Sequence, residues 1–305
     1  MNIRMNYNKL DVGNKIVTPK DYEDVLCQTG LNWTVSANDA FAEFNGKMIK
    51  VDGAKVIVRD TDQRPLGIVS DRYQIVNNAD AFNLLDYLYD QEQLEFIAGG
   101  AFKEGAITFI KAKLPSKFSL VNEDDTECVI VVTNTHDGTG AFTAHILPVF
   151  KDVILNIPVR GVKRSWRCTH SGDVNSKYEN GRKVLLEGTK YMKAIEAFAK
   201  SLGTIKVPYE LCTKYLEKLI PVNEDEMTEL QCARRYEQRN LIFEILFKDN
   251  NYDKTGFEFI EAIAEYADYV EGRKTKNANL NRFMSVVHGH PLVDQAFDLI
   301  ISGQA

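Results

Sequence analysis

Three groupings of side chains in this 305-residue chain have the types and spacing that chemistry needs. The first is His136-Asp137-Gly138, with His170-Ser171-Gly172 downstream. A histidine beside an aspartate can serve as a general base or take a metal ion. On that reading His136 and His170 would be the metal pair of a metal-dependent enzyme. The plainer reading is favoured: Asp137-Gly138 suits a hairpin turn, and nothing in the spacing requires a metal pair. The second grouping is Asp60, Asp62 and Asp71, which would bind Mg²⁺ for nuclease work if they met at one end of a sheet. Aspartate is common in turns for local reasons, so this reading is the weaker one. His288-Gly289-His290, beside Pro291, reads as a turn rather than a ligand set. No P-loop, dinucleotide fingerprint, zinc-protease helix or nucleophile elbow occurs. No catalytic residue, cofactor or metal is therefore assigned, and the chain is not read as an enzyme.

The third grouping is basic. Arg160, Lys163, Arg164, Arg167, Lys177, Arg182 and Lys183 lie close together, with Trp166 and Tyr178 interleaved and only Asp173 and Glu179 opposing them. Cations at that density can neutralise successive phosphates, and an aromatic beside them can stack on an unpaired base for ~1–3 kcal/mol. The competing reading makes Trp166 a core residue and pairs the arginines with acidic neighbours. The overall net charge of −6 hides this strip. Residues 1–150 carry −7, residues 151–190 carry +5 and residues 191–305 carry −4.

The elements that must position these groups are legible in outline. Residues 1–40 form an N-terminal segment in which Pro19, Asp21 and Glu23 open a short helix. Residues 41–183 read as an antiparallel α+β core. Asn45-Gly46 and Asp52-Gly53 predict hairpin turns around Lys47–Val51, with further strands at 54–59 and 66–69. A helix starts at Asn77 or Asn78, buries Ala81, Phe82, Leu85, Leu88 and Tyr89, and ends by Gly99-Gly100. Strands follow at 106–114, 128–134 and 141–150. Residues 184–305 read as a helical C-terminal region. Asn223 with Glu226, and Thr255 with Glu258, supply its caps, and Arg273–Lys276 breaks it. The fold class is α+β: an antiparallel β meander with packed helices, then helices.

Composition limits the setting. At 44% apolar and 26% charged, the chain is globular rather than disordered. No run approaches the ~18–20 apolar residues that span a bilayer, and the start lacks an apolar leader. Five scattered cysteines without a C-x-x-C pair fit a reducing compartment, so the expectation is the cytoplasm of a bacterial host and no membrane partner.

Four stretches, taken together, resemble a family. They are Leu66-Gly67-Ile68-Val69-Ser70-Asp71-Arg72-Tyr73-Gln74-Ile75-Val76-Asn77-Asn78-Ala79-Asp80-Ala81-Phe82, Thr133-Asn134-Thr135-His136-Asp137-Gly138-Thr139-Gly140-Ala141, Arg167-Cys168-Thr169-His170-Ser171-Gly172, and Arg282-Phe283-Met284-Ser285 before Gly289. The chain is similar to the phage/plasmid-like proteins that share a prokaryotic domain of unknown function (DUF932), from about residue 40 to the end. The resemblance marks Ser70, Tyr73, Asn77, Asn134, His136, Asp137, Gly138 and His170 as motif residues. Family members carry a Val-Cys-x-Asn-Thr run where this chain reads Val153-Ile154-Leu155-Asn156-Ile157, which argues against thiol chemistry there. The resemblance implies a mobile-element context and no particular reaction.

Taken together, the expected function is single-stranded DNA binding in recombination, annealing or replication. A meander followed by a helix is similar to the strand–strand–strand–helix core of single-strand annealing proteins, a fold-level analogy that implies a homo-oligomer. The alternative is a mobile-element interaction module that inhibits a host defence protein, its acidic faces mimicking DNA.

Overall fold

Asn45 and Gly46 take left-handed φ values of 51° and 73° and join β2 (Val35–Phe44) to β3 (Lys47–Arg59) in the tight turn that their types favour. Upstream lie β1 (Asn14–Lys15) and α1 (Tyr22–Thr29), the latter capped by the Asp21 side chain. β4 (Pro65–Ser70) completes a three-stranded sheet in the order β2-β3-β4. Asp52-Gly53 does not make the second expected turn. It lies inside the continuous β3, where the register jumps from Asp39↔Lys55 to Phe41↔Lys50. Gly53, at φ 75°, lets β3 bulge out opposite Ala40. β4 pairs only with Ala54–Val58, so the tip of the β2–β3 hairpin projects as a two-stranded ribbon. Among the described residues this ribbon leaves Phe41, Phe44, Met48 and Ile49 more than half exposed.

The computed structural model describes residues 10–90, 94–115, 118–120, 124–159, 161–172, 174–269 and 277–303. After α2 (Asn78–Asp90), Gly99-Gly100 does not end a helical region. The pair sits inside β5 (Glu95–Phe102). A Cβ on Gly99 would fall 2.7 Å from Thr29 Cγ2, so the pair admits the close approach of α1 and β1. The larger sheet continues through β6 (Ile107–Lys113), β7 (Phe118–Leu120), β8 (Asp124–Thr135), β9 (Phe142–Phe150), β10 (Val153–Ile154) and β11 (Ser165–Cys168). Its order is β1-β5-β6-β8-β9-β10, with β7 on β8 and β11 on β9, all antiparallel. Strand alternation gives it two apolar faces. Ile130, Val132, Phe142, Ala144 and Ile146 join the main core with α2 and the helices that follow, whereas Val129, Val131, Leu147 and Val149 pack with residues of α8.

Helices begin earlier than residue 184: α3 (Val174–Leu186) already carries the end of the basic strip. Then come α4 (Gly188–Thr204), β12 (Lys206–Pro208), α5 (Tyr209–Leu219), α6 (Glu229–Leu246), β13 (Asp253–Thr255), α7 (Gly256–Tyr269), α8 (Ala278–His288) and α9 (Pro291–Ser302). Thr255 and Glu258 cap α7 reciprocally as expected. Asn223 and Glu226 do not cap α6. Thr228 and Gln231 form its capping box instead, because the segment before them turns before the helix starts. The expected break at Arg273–Lys276 lies outside the described residues. The class is α+β, with helices gathered toward the C-terminus. No described helix is long and apolar enough to cross a membrane.

Candidate functional site: a buried polar hub and a basic edge strand

The motif residues, up to a hundred positions apart, fold into one polar hub. β8 ends at Thr135 and delivers Asn134, Thr135 and His136, all buried, beneath the start of α2. There Asn78 acts as the junction. Its amide donates to Leu31 O (3.1 Å), and its Oδ1 accepts from Thr108 Oγ1 (3.0 Å) and His136 Nε2 (3.1 Å). Asn77 accepts from Val35 N at 2.9 Å and so ties the meander to the helix. Asn134 Nδ2 donates to Val76 O (2.8 Å), and Tyr73 Oη donates to Thr135 O (2.6 Å). The Tyr73 ring stacks on His170 at 4.7 Å, and Trp33 lies 5.2 Å from the His136 ring. His170 is clasped twice by Gln74, whose N–H donates to its carbonyl (2.8 Å) and whose carbonyl accepts from its Nδ1 (3.2 Å). Ser70, exposed at the end of β4, accepts from Tyr73 N.

Asp137 and Gly138 form the turn that the plainer reading favours. Asp137 Oδ1 accepts from the Thr139 N–H (3.0 Å) and hydroxyl (2.6 Å), and Gly138 sits at φ 72°. β4 presses on this turn so closely that a Cβ on Gly67 would lie 2.4 Å from Asp137 Cα. His136, by contrast, is not a solvent-facing turn residue. It is 1% exposed, and burial pushes its pKa down to about 4, with His170 adding to the depression. Burial lowers His170 as well. Among the described residues, His136 Nδ1 and His170 Nε2 are enclosed and have no hydrogen-bond partner. Two such nitrogens can take a proton or bind a metal. Among the described residues, however, no group of three His, Cys, Asp or Glu side chains gathers to hold one. Asp60, Asp62 and Asp71 do not gather either. Asp60 bonds Thr34 and Asp62 pairs with Arg59, whereas Asp71 lies at the opposite end of β4.

The basic strip divides. β11 is an edge strand on β9, and its alternation turns Trp166 and Arg167 to opposite faces. Trp166, half-buried, meets Phe142 edge-on at 5.0 Å and lies near Tyr178 under α3. Arg164 bridges Asn156 Oδ1 and the His288 carbonyl, while Asn156 Nδ2 donates to Val286 O at 2.7 Å. Together they fasten α8 to the sheet. Arg182 pairs with Glu179 and bonds Asn83. Lys163, Arg167 and Lys183 are exposed and, among the described residues, make no ion pair or side-chain hydrogen bond. Arg160 lies outside the described residues, and of Lys177 only its place in α3 is described.

Two further histidines join the Arg167 side. His145 of β9, 8% exposed, lies 5.2 Å from His288 at the end of α8. Burial, His288 and Arg164 push its pKa down to about 3. Burial, then Arg167 and Arg164, also lower His288. The sequence held no signal for this, since β9 and α8 meet only in three dimensions.

A family model described as a domain of unknown function (DUF932) matches residues 65–287, from β4 to the last turn of α8. No curated protein and no solved structure matches the chain. The match contains the motif residues of the hub and the basic strip, whereas Leu31, Trp33, Val35 and the projecting ribbon precede it.

Proposed function

The chain belongs to the DUF932 family, a domain of unknown function, and we propose that it binds single-stranded nucleic acid along the outward side of β11. The observation that carries this reading is the pair Lys163 and Arg167, exposed at an edge strand and free of carboxylate partners among the described residues. Arg164 adds positive charge on the same side, whereas His288, its pKa lowered by burial and then by Arg167 and Arg164, adds none near neutral pH. Binding would be governed by phosphates rather than by a stacked base, because Trp166 faces α3. The acidic remainder of the chain would keep a long duplex from wrapping and confine contact to this edge. A role in phage or plasmid recombination, annealing or replication is the finer part of the proposal. It draws support from the order β2-β3-β4-α2, that of the single-strand annealing core. The test is affinity of a labelled single strand for the parent and for Lys163→Glu/Arg167→Glu at ~50 and ~200 mM salt. The reading expects a large loss of affinity in the variant; equal affinities would refute it.

A second reading, a protein-interaction module acting on a host factor, is favoured by the β2–β3 ribbon. Phe44 and Met48 are each 65% exposed near its tip, and apolar surface displayed in this way marks contact sites. On this reading Phe44→Ser/Met48→Ser releases a stoichiometric host protein while single-strand affinity stays unchanged.

A further inference from the structure

The hub's purpose is visible in what it holds still. Gln74, clasped by His170, and Val76, fixed by Asn134, form one wall of a cavity of about 780 Å³ on the face opposite Arg167. Gly172 closes the same cavity, so two of the four motif stretches line it. The remaining walls are Tyr22 of α1, Asp80 of α2, and Tyr178, Glu179 and Arg182 of α3. Its volume suits a small organic molecule, and its loop wall from Gln74 to Val76 is pinned by hydrogen bonds to His170 and Asn134.

The chemistry of the walls selects the sign of the ligand. Arg182 is taken up by Glu179 at 3.3 Å and by Asn83 Oδ1 at 3.1 Å. Asp80, exposed, has no hydrogen bond or ion pair among the described residues. It acts electrostatically on both tyrosines, Asp86 on Tyr22 also, and burial with these carboxylates drives both hydroxyls well above the usual tyrosine range. A carboxylate with no hydrogen bond or ion pair among the described residues, in a cavity it shares with two tyrosines, disfavours phosphate and favours a cation.

We propose that this cavity binds a small organic cation of the amine or guanidinium class, with Asp80 as counter-ion and Tyr22 and Tyr178 as its aromatic walls. The site is distinct from the proposed nucleic-acid edge and does not depend on it.

Calorimetry on the full chain with spermidine, L-arginine and, as the anionic control, AMP tests the proposal. Saturable binding of spermidine or L-arginine is expected, with no binding of AMP. The cation that binds tells a chain of amines from a guanidinium. Asp80→Asn removes a first-turn carboxylate of α2 at a small cost to the stability of the unliganded protein, and should weaken binding at least ~10-fold, or by ~1.4 kcal/mol. Glu179→Gln, which frees Arg182, should weaken it as well. Absence of binding by both cations, binding undiminished in Asp80→Asn, or preference for AMP would each overturn the proposal.

Discussion

Mild acid should destabilise this protein well above the range where its carboxylates titrate, and two buried histidines, His136 in the hub and His145 on β9, explain why. His136 falls from 6.5 to about 4 on folding, and His145 falls from 6.5 to about 3. Burial is the first cause for both, and both side chains keep an enclosed ring nitrogen without a hydrogen-bond partner among the described residues. A lowered histidine pKa means that the unfolded chain takes up the proton first. Stability from these groups is therefore complete above 6.5 and drains as pH falls through 6.5 toward the folded values. At about pH 5 each histidine has lost about 2 kcal/mol, so the pair removes about 4 kcal/mol between about pH 7 and about pH 5. Against a usual total of ~5–15 kcal/mol that is a large fraction. Asp39 and Asp62, held down to about 2 by their lysine and arginine partners, act only at much lower pH and do not confuse the window. Urea unfolding at both pH values measures the change. His136→Gln keeps a donor for Asn78 but cannot titrate, so its pH dependence should be smaller by about 2 kcal/mol. A parent whose stability is flat across the window, or a variant with undiminished dependence, would refute the reasoning.

Other perturbations separate structural from functional cations. Arg164→Ala should cost ~1–3 kcal/mol by releasing Asn156 and the α8–α9 turn, whereas Arg167→Ala should stay within ~0.5 kcal/mol in the same thermal melts. Gly67→Ala drives a methyl into Asp137 and should lower stability by ~1–3 kcal/mol, read by urea titration. Cys27 is exposed, whereas burial pushes the Cys128 and Cys212 thiols up to about 12. A chromogenic disulfide reagent should therefore titrate a single fast thiol in the native protein and the others only after denaturation.

The limits of legibility follow from what a linear pattern encodes. Asn45-Gly46 and Asp52-Gly53 carry the same local signal for positive φ, yet the first turns the chain and the second bulges a strand. The bulge falls where the pairing of β4 stops, at Ala54, and beyond it β3 continues paired with β2 alone. Gly99-Gly100 read as a terminator because glycine's usual reason is local. Here the reason is the approach of Thr29 and Gly13, distant in sequence. The motif histidines stood out in the sequence, and their turn context was right for Asp137 and Gly138. The meeting of His136 with Asn78 required the register of β6 on β8, and that of His170 with Gln74 a contact between distant segments, neither of which sequence spacing holds. The basic strip was found by charge alone, but charge cannot say that Arg164 spans a groove to α8 or that strand alternation parts Trp166 from Arg167.

The most direct test of the central claim is fluorescence anisotropy of a labelled single strand against salt. The account predicts that the logarithm of the parent's affinity falls linearly with the logarithm of salt concentration. It also predicts that Lys163→Glu/Arg167→Glu loses most of the affinity and flattens the slope by ~1.4, the share of two phosphate contacts. Parent and variant lines that coincide, or a parent with no slope at all, would contradict it.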